Sequence, residues 1–131
     1  MANVGQSETP KTYGPYSPVR QVGDTFYISG QVGVNPVSKT ASEAVTDQVD
    51  QAIKNLGVVL ASAGLDYDDV IKTTLYLTDI SMFTQVNSIY LLYFNEPRPA
   101  RTTVGIAELP RVGGDAKLVF EIDAVAVKKR P

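Results

Sequence analysis

Residues 40–78 read TASEAVTDQVDQAIKNLGVVLASAGLDYDDVIKTTLYLT, and the hydrophobic period changes within this one stretch. Val45, Val49, Ala52, Ile53, Leu56 and Leu60 recur at the spacing of a single helix face. Thr40 and Glu43 have the spacing of a capping box at the helix start. Ala63-Gly64 closes the helix, Gly64 being suited to the left-handed residue beyond a C-cap. Asp66 to Asp69 reads as a turn. From Val70 to Thr78 the period falls to two, with Ile71, Thr73, Leu75 and Leu77 on one face and Lys72, Thr74 and Tyr76 on the other.

Moving outward, Val19–Val22 and Thr25–Val32 read as two strands turned at Gly23-Asp24. In the second, Phe26, Ile28 and Gly30 share one face; Tyr27, Ser29 and Gln31 share the other. A glycine inside a strand marks a bulge or a close approach to the backbone. Gly33 to Ala41 is a loop. C-terminal to residue 78, Asp79 or Ser81 caps a second helix bearing Phe83, Val86, Tyr90 and Phe94 on one stripe. Pro97 and Pro99 stop it. Arg101 to Ala107 is a strand, Leu109 to Lys117 a loop, and Leu118 to Val127 a final strand. Lys128-Lys129-Arg130 is a solvated basic end.

The order ββαβαββ is that of an α+β domain, one sheet with two helices on one face. The other face carries many apolar or aromatic residues, so a partner covering it is expected, most simply another copy of the chain. The length of 131 residues suits a single domain over 13–131. Residues 1–12 form a polar arm, either loose or ordered only against a neighbour.

Composition narrows the chemistry. The chain has no Cys, no His and no Trp. Disulfides, thiolate nucleophiles and imidazole acid–base catalysis are excluded, and with them any Ser-His-Asp triad. A structural zinc site is not expected, since such sites use mainly thiolate and imidazole ligands; a carboxylate-only magnesium site would need clustered acids, and no metal is assigned. The net charge is −2 and the isoelectric point near 5.0. Nothing in that balance favours a duplex nucleic acid. The opening MANVGQSETPK lacks a basic region followed by an apolar stretch, and no run approaches the roughly 18 apolar residues of a membrane span. A cytoplasmic protein is the expectation.

Four places remain where chemistry has candidates. Tyr13-Gly14-Pro15-Tyr16-Ser17-Pro18 is a rigid aromatic turn, either packed on the domain edge or walling a pocket. Asn87, beside the apolar stripe, either ties down a neighbouring loop or contacts a ligand. Arg101, sharing a strand face with Thr103, is either an edge salt bridge or a fork for a carboxylate or phosphate. Glu121, with Asp123 on the same face of an apolar strand, is either an ion-pair partner of Arg101 or a general acid–base with a raised pKa. Val112-Gly113-Gly114-Asp115 lacks the spacing and the Lys of a phosphate-binding loop.

These segments also carry a family resemblance. Tyr13-Gly14-Pro15-Tyr16-Ser17, Tyr27-Ile28-Ser29-Gly30-Gln31, Val70-Ile71-Lys72-Thr73-Thr74, Val86-Asn87-Ser88-Ile89-Tyr90, Pro99-Ala100-Arg101-Thr102-Thr103 and Phe120-Glu121-Ile122 occur in the order of the corresponding motifs of the RidA (YjgF/YER057c/UK114) family. The chain resembles that family from about Tyr13 to Val127. The resemblance implies a chorismate-mutase-like fold and a homotrimer whose sheets form a central barrel, with ligand clefts between subunits.

The implied activity is cofactor-free hydrolysis of reactive enamine and imine intermediates, 2-iminobutanoate and 2-iminopropanoate, to 2-oxo acids and ammonia. By the same resemblance, Arg101 clamps the substrate carboxylate, Gly30 meets the nitrogen end through its backbone and Tyr16 walls the pocket. Thr103 offers a hydroxyl, Glu121 handles water and protons, and Asn87 supports the pocket. Pro18 and a long 110–117 loop depart from the family pattern and leave room for a non-catalytic binder of small carboxylates. Some relatives are associated with RNA cleavage; the acidic charge and absent His weigh against it here.

Overall fold

A computed structural model describes residues 9–129. Five strands, β1 (Val19–Val22), β2 (Thr25–Val32), β3 (Val70–Leu77), β4 (Ala100–Gly105) and β5 (Phe120–Val127), form one sheet in the order β1-β2-β5-β3-β4. Every pairing is antiparallel except β3 with β4. Two helices, α1 (Val45–Ser62) and α2 (Phe83–Tyr90), are the connections that parallel geometry requires. α1 leads from β2 to β3 across β5; α2 leads from β3 to β4. Thus α2 lies beside β4, which matters for the site. The sheet is mixed, with both helices on one face, as the element order indicates.

The core lies between α1, α2 and one face of the sheet. Val49, Ala52, Ile53, Leu56 and Leu60 are fully buried on α1 against Phe120, Ile122, Ala124, Leu75 and Leu77. Each large side chain buried in this way contributes roughly 1.5–3 kcal/mol. α1 ends as its sequence indicates. Gly64 takes φ +76°, its N–H donates to Ala61 O and the Leu65 N–H to Leu60 O, which together form a Schellman cap. Asp66 and Asp69 then cap a short 3₁₀ turn reciprocally.

Four expectations need correction. The Thr40–Glu43 capping box does not form. α1 starts at Val45, its N-cap Ala44 makes no side-chain cap, and Thr40 and Ala41 are occupied in a loop that bridges Ala41 to Val34 and to Gly113 O. Ile71 is exposed instead of buried, because the β3–β5 register slips between Val70 and Lys72 and turns Val70 inward. The second helix ends at Tyr90, well before the prolines, and Tyr93 and Phe94 N–H groups both close onto Tyr90 O. In β2, the register slips between Ile28 and Gln31, so that the pair Ser29-Gly30 opposes Asp123 alone. Beyond that bulge the faces invert: Gln31 is buried, while Gly30 comes to the open face.

The open face is more polar than its sequence suggests. Tyr27, Val125 and Val127 are joined there by Lys72, Thr74, Tyr76, Thr102, Glu121 and Asp123, from the pairing registers. Lys72 Nζ donates to Thr74 Oγ1 at 3.2 Å and to Thr102 Oγ1 at 3.1 Å, and Tyr76 donates to Asp123 at 2.8 Å. Residues 1–8 of the expected arm lie outside the described residues, whereas Pro10, Lys11 and Thr12 line a cleft. Arg130 of the basic end also lies outside them. Lys128 is tied to the fold, its Nζ donating to Gly64 O and its N–H to Asp24 O.

Candidate active site

The predicted site residues fall into two groups. The first surrounds a cleft at one end of the sheet, which Tyr16, Gly30 and Glu121 line. Glu121 alternates along β5 with the buried Phe120 and Ile122, so its carboxyl leaves the open face. It can do so because its neighbour is glycine: a Cβ on Gly30 would stand 2.4 Å from Glu121 Oε2 and 2.7 Å from its Cδ. The bulge is what presents Gly30 to this carboxyl.

Burial pushes the Glu121 carboxyl above its ordinary pKa, and the like charge of Asp123 adds to the push. The Tyr76 hydroxyl is itself pushed up to about 12, first by its hydrogen bond to Asp123. A half-buried carboxyl of this kind exchanges protons nearer neutrality, as acid–base catalysis needs.

The walls of this cleft are fixed by two buried amides of α1 that sequence reading missed. Asn55 donates to Val32 O and Val34 O, both at 2.9 Å, and accepts from Gln51 at 2.9 Å. Gln48 donates to Ser42 O and Lys117 O, each at 2.8 Å, and accepts from the Val119 N–H at 2.9 Å. Polar positions inside the apolar stripe of α1 were the available signal, since a buried amide needs partners. Pro18 of the aromatic turn, and Pro110 and Val112 of the long loop, line the same cleft. Gly113 holds the loop close, with φ +83° and Val34 Cγ2 at 2.4 Å from where a Cβ would be.

The second group sits on β4 and α2. Register pairs Arg101 with the buried Thr73 and Thr103 with Leu75, so both project toward the helix side of the sheet. Arg101 Nε donates to Thr103 Oγ1 at 3.0 Å, and its Nη2 to Asn87 Oδ1 at 2.7 Å. Its guanidinium also lies over the rings of Tyr90 and Phe83. Asn87 therefore ties down a side chain, and that side chain is the candidate carboxylate fork. Phe83 and Tyr90, four residues before and three after Asn87 on α2, belong to this group as well; Tyr90 is core as its stripe indicates, whereas Phe83 is exposed.

The two groups do not meet within one chain. The ion pair between Arg101 and Glu121 does not form, and Arg101 has no acidic partner among the described residues. β3 lies between β4 and β5, which sets the two strands roughly 10 Å apart, and the side chains leave opposite faces. No group of three or more potential metal ligands occurs among the described residues, and no helix among them is long and apolar enough to cross a membrane.

Comparison with known proteins adds an independent line. Residues 6–128 match the family described as Endoribonuclease L-PSP. A mouse protein named 2-iminobutanoate/2-iminopropanoate deaminase is 42% identical over 126 residues, covering 95% of this chain and 90% of that protein. RidA from the Antarctic bacterium Psychrobacter sp. superposes with a TM-score of 0.86 at 34% identity, over 92% of this chain and 94% of that one. E. coli TdcF, solved with bound serine, superposes with a TM-score of 0.84 at 31% identity, over 93% of this chain and 94% of that one.

Proposed function

Because the chain belongs to the Endoribonuclease L-PSP (RidA) family, we propose that it is a 2-iminobutanoate/2-iminopropanoate deaminase whose complete site is built by two chains. The observation that carries this reading is the bare carboxyl of Glu121 against Gly30. It is a proton-handling group in a cleft, in a chain 42% identical to a protein bearing that name.

Arg101 binds the carboxylate of a 2-imino acid through N–H groups not used by Thr103 and Asn87. The protonated imine is already electrophilic at C2. Water adds there as Glu121 takes its proton, forming a carbinolamine. Glu121 returns the proton to the nitrogen and then takes the carbinolamine hydroxyl proton as the C–N bond breaks, so that ammonia leaves a 2-oxo acid. Tyr16 walls the cleft, the Gly30 backbone meets the nitrogen end and the Thr103 hydroxyl faces substrate or water. Orientation and one carboxylate suffice, so no cofactor is needed.

The opposite faces of Arg101 and Glu121 support a homotrimer in which one chain's cleft is completed by a neighbour's β4 edge. The cytoplasm is the compartment that goes with this reading. The test is subunit complementation. Arg101→Ala and Glu121→Ala proteins, each inactive in ammonia release coupled to threonine dehydratase, are mixed and allowed to exchange subunits. Activity should return in the mixture, because some clefts then pair an intact Arg101 with an intact Glu121. No recovery on proven exchange would sink the two-chain site, and an active Arg101→Ala protein would sink the role of Arg101.

A second reading, a binder of small carboxylates without turnover, draws on Pro18, Pro110 and Val112 lining the cleft. Binding of 2-oxobutanoate by a protein inert in the coupled assay would select it. RNA cleavage fits the family's description, but a net charge of −2 with no His offers little for phosphate chemistry. Intact RNA after incubation with the freshly purified protein would dispose of it.

A further inference from the structure

The partners of Arg101 share one property, which is that all are neutral. Its Nε and Nη2 donate to the Thr103 hydroxyl and the Asn87 amide. Its Cζ lies 4.9 Å from the Tyr90 ring centroid and 5.4 Å from that of Phe83. Ring faces attract a cation through their quadrupole without cancelling its charge. A half-buried guanidinium would ordinarily be paired with a carboxylate. Here it is oriented on four sides, and its charge stays available to an anion.

The two rings differ in how they are held. Tyr90 is buried, shares a 2.8 Å hydrogen bond with the buried Thr73 hydroxyl, and stacks on Phe94 at 4.3 Å between centroids. It is a fixed platform, set in the core. Phe83 is 43% exposed although it opens the apolar stripe of α2. The core does not require it, and its ring lies over the guanidinium.

We propose that Phe83 and Tyr90 are positioning residues that hold Arg101 ready for the substrate carboxylate, with Phe83 as the replaceable outer wall. This rests on the reading of Arg101 as the carboxylate fork. It adds that affinity for the anion is set by an aromatic cage on α2 as well as by the arginine.

The test compares the full-length wild type with Phe83→Leu, Phe83→Trp and Arg101→Ala. Steady-state constants come from the coupled assay, 2-oxobutanoate affinity from titration calorimetry, and folding from thermal melts. Phe83→Leu should raise KM and the 2-oxobutanoate Kd about two- to tenfold, the range of a cation–π contact of this exposure, with kcat nearly unchanged. Phe83→Trp should restore both constants, or tighten them, because indole is the stronger cation–π partner. If Phe83→Leu leaves both constants unchanged while Arg101→Ala loses binding, the cage is overturned and the arginine's role stands. If Phe83→Leu weakens binding and Phe83→Trp does not restore it, the ring acts by shape alone and the cage is again overturned. Unchanged binding in Arg101→Ala overturns the underlying reading as well.

Discussion

Arg101 and Glu121 face away from each other across a single sheet. Arg101 is in register with the buried Thr73 and bonded to Asn87 of α2, while Glu121 is in register with Tyr76 on the open face. A cation and an acid that the proposed reaction both uses are thus kept from neutralising each other inside the chain. An intramolecular pair would have satisfied both charges and left neither for a substrate.

Asn87 should govern how well Arg101 is aimed. Asn87→Ala removes a charge-assisted hydrogen bond of about 1.5–3 kcal/mol, so kcat/KM should fall about 10- to 100-fold, chiefly through KM. Asn87→Asp should bind 2-oxobutanoate more weakly than Asn87→Ala, because its carboxylate would occupy the cation permanently. Calorimetric affinities for the two variants check the order.

Gly30→Ala should separate activity from folding. The new Cβ meets the end of the Glu121 side chain, which is free to swing aside, so the circular dichroism spectrum and Tm should stay near wild type. Displacing the carboxyl by about 1 Å should lower kcat about 100-fold.

Asp123→Asn should move the acidic limb of the pH–rate profile. Burial and then Asp123 hold the Glu121 pKa up. In the proposed reaction Glu121 must be ionised to accept the proton of water, so activity should rise with pH through that pKa. Removing the neighbouring charge lowers it, and the limb should shift to lower pH. An unmoved limb would separate Asp123 from the proton chemistry.

The same raised pKa has a cost in stability. A carboxyl whose pKa is higher folded than unfolded favours folding while protonated, and that contribution is lost as pH rises through the folded pKa. Glu121→Gln should therefore melt above the wild type at neutral pH and converge with it in acid, while the proposed reaction predicts that it is inactive.

Gln48→Leu should destabilise the fold. It leaves Ser42 O, Lys117 O and the Val119 N–H without the partner they now have. A loss of about 2–4 kcal/mol is expected, seen as a Tm lowered by about 5–15 °C.

Much of the architecture can be read along the chain. The bounds of β1 and β2, the stripe of α1, the left-handed Gly64 and the helix–sheet layering all follow from local periodicity and end signals. The exceptions have one cause, which is that a partner strand decides them. Alternation places Gly30 with Ile28, but whether Ser29-Gly30 opposes one residue or two is set by β5, far along the chain. Alternation also says that Arg101 and Thr103 share a face, but not which one. Only the parallel pairing with β3 turns them toward α2 and away from Glu121. Phe83 reads as core because periodicity counts apolar residues and does not see the cation one of them covers.

The two amides of α1 have a consequence for how the molecule fails. Gln48 and Asn55 hold two segments of the Glu121 cleft, 117–119 and 32–34, from one helix, two turns apart. A cleft hung in this way has no melting temperature of its own. Heat should not open these walls while the core of the chain holds, so exposure of the cleft and melting of the core should coincide. Activity lost before either would mark separation of the two chains that build the site.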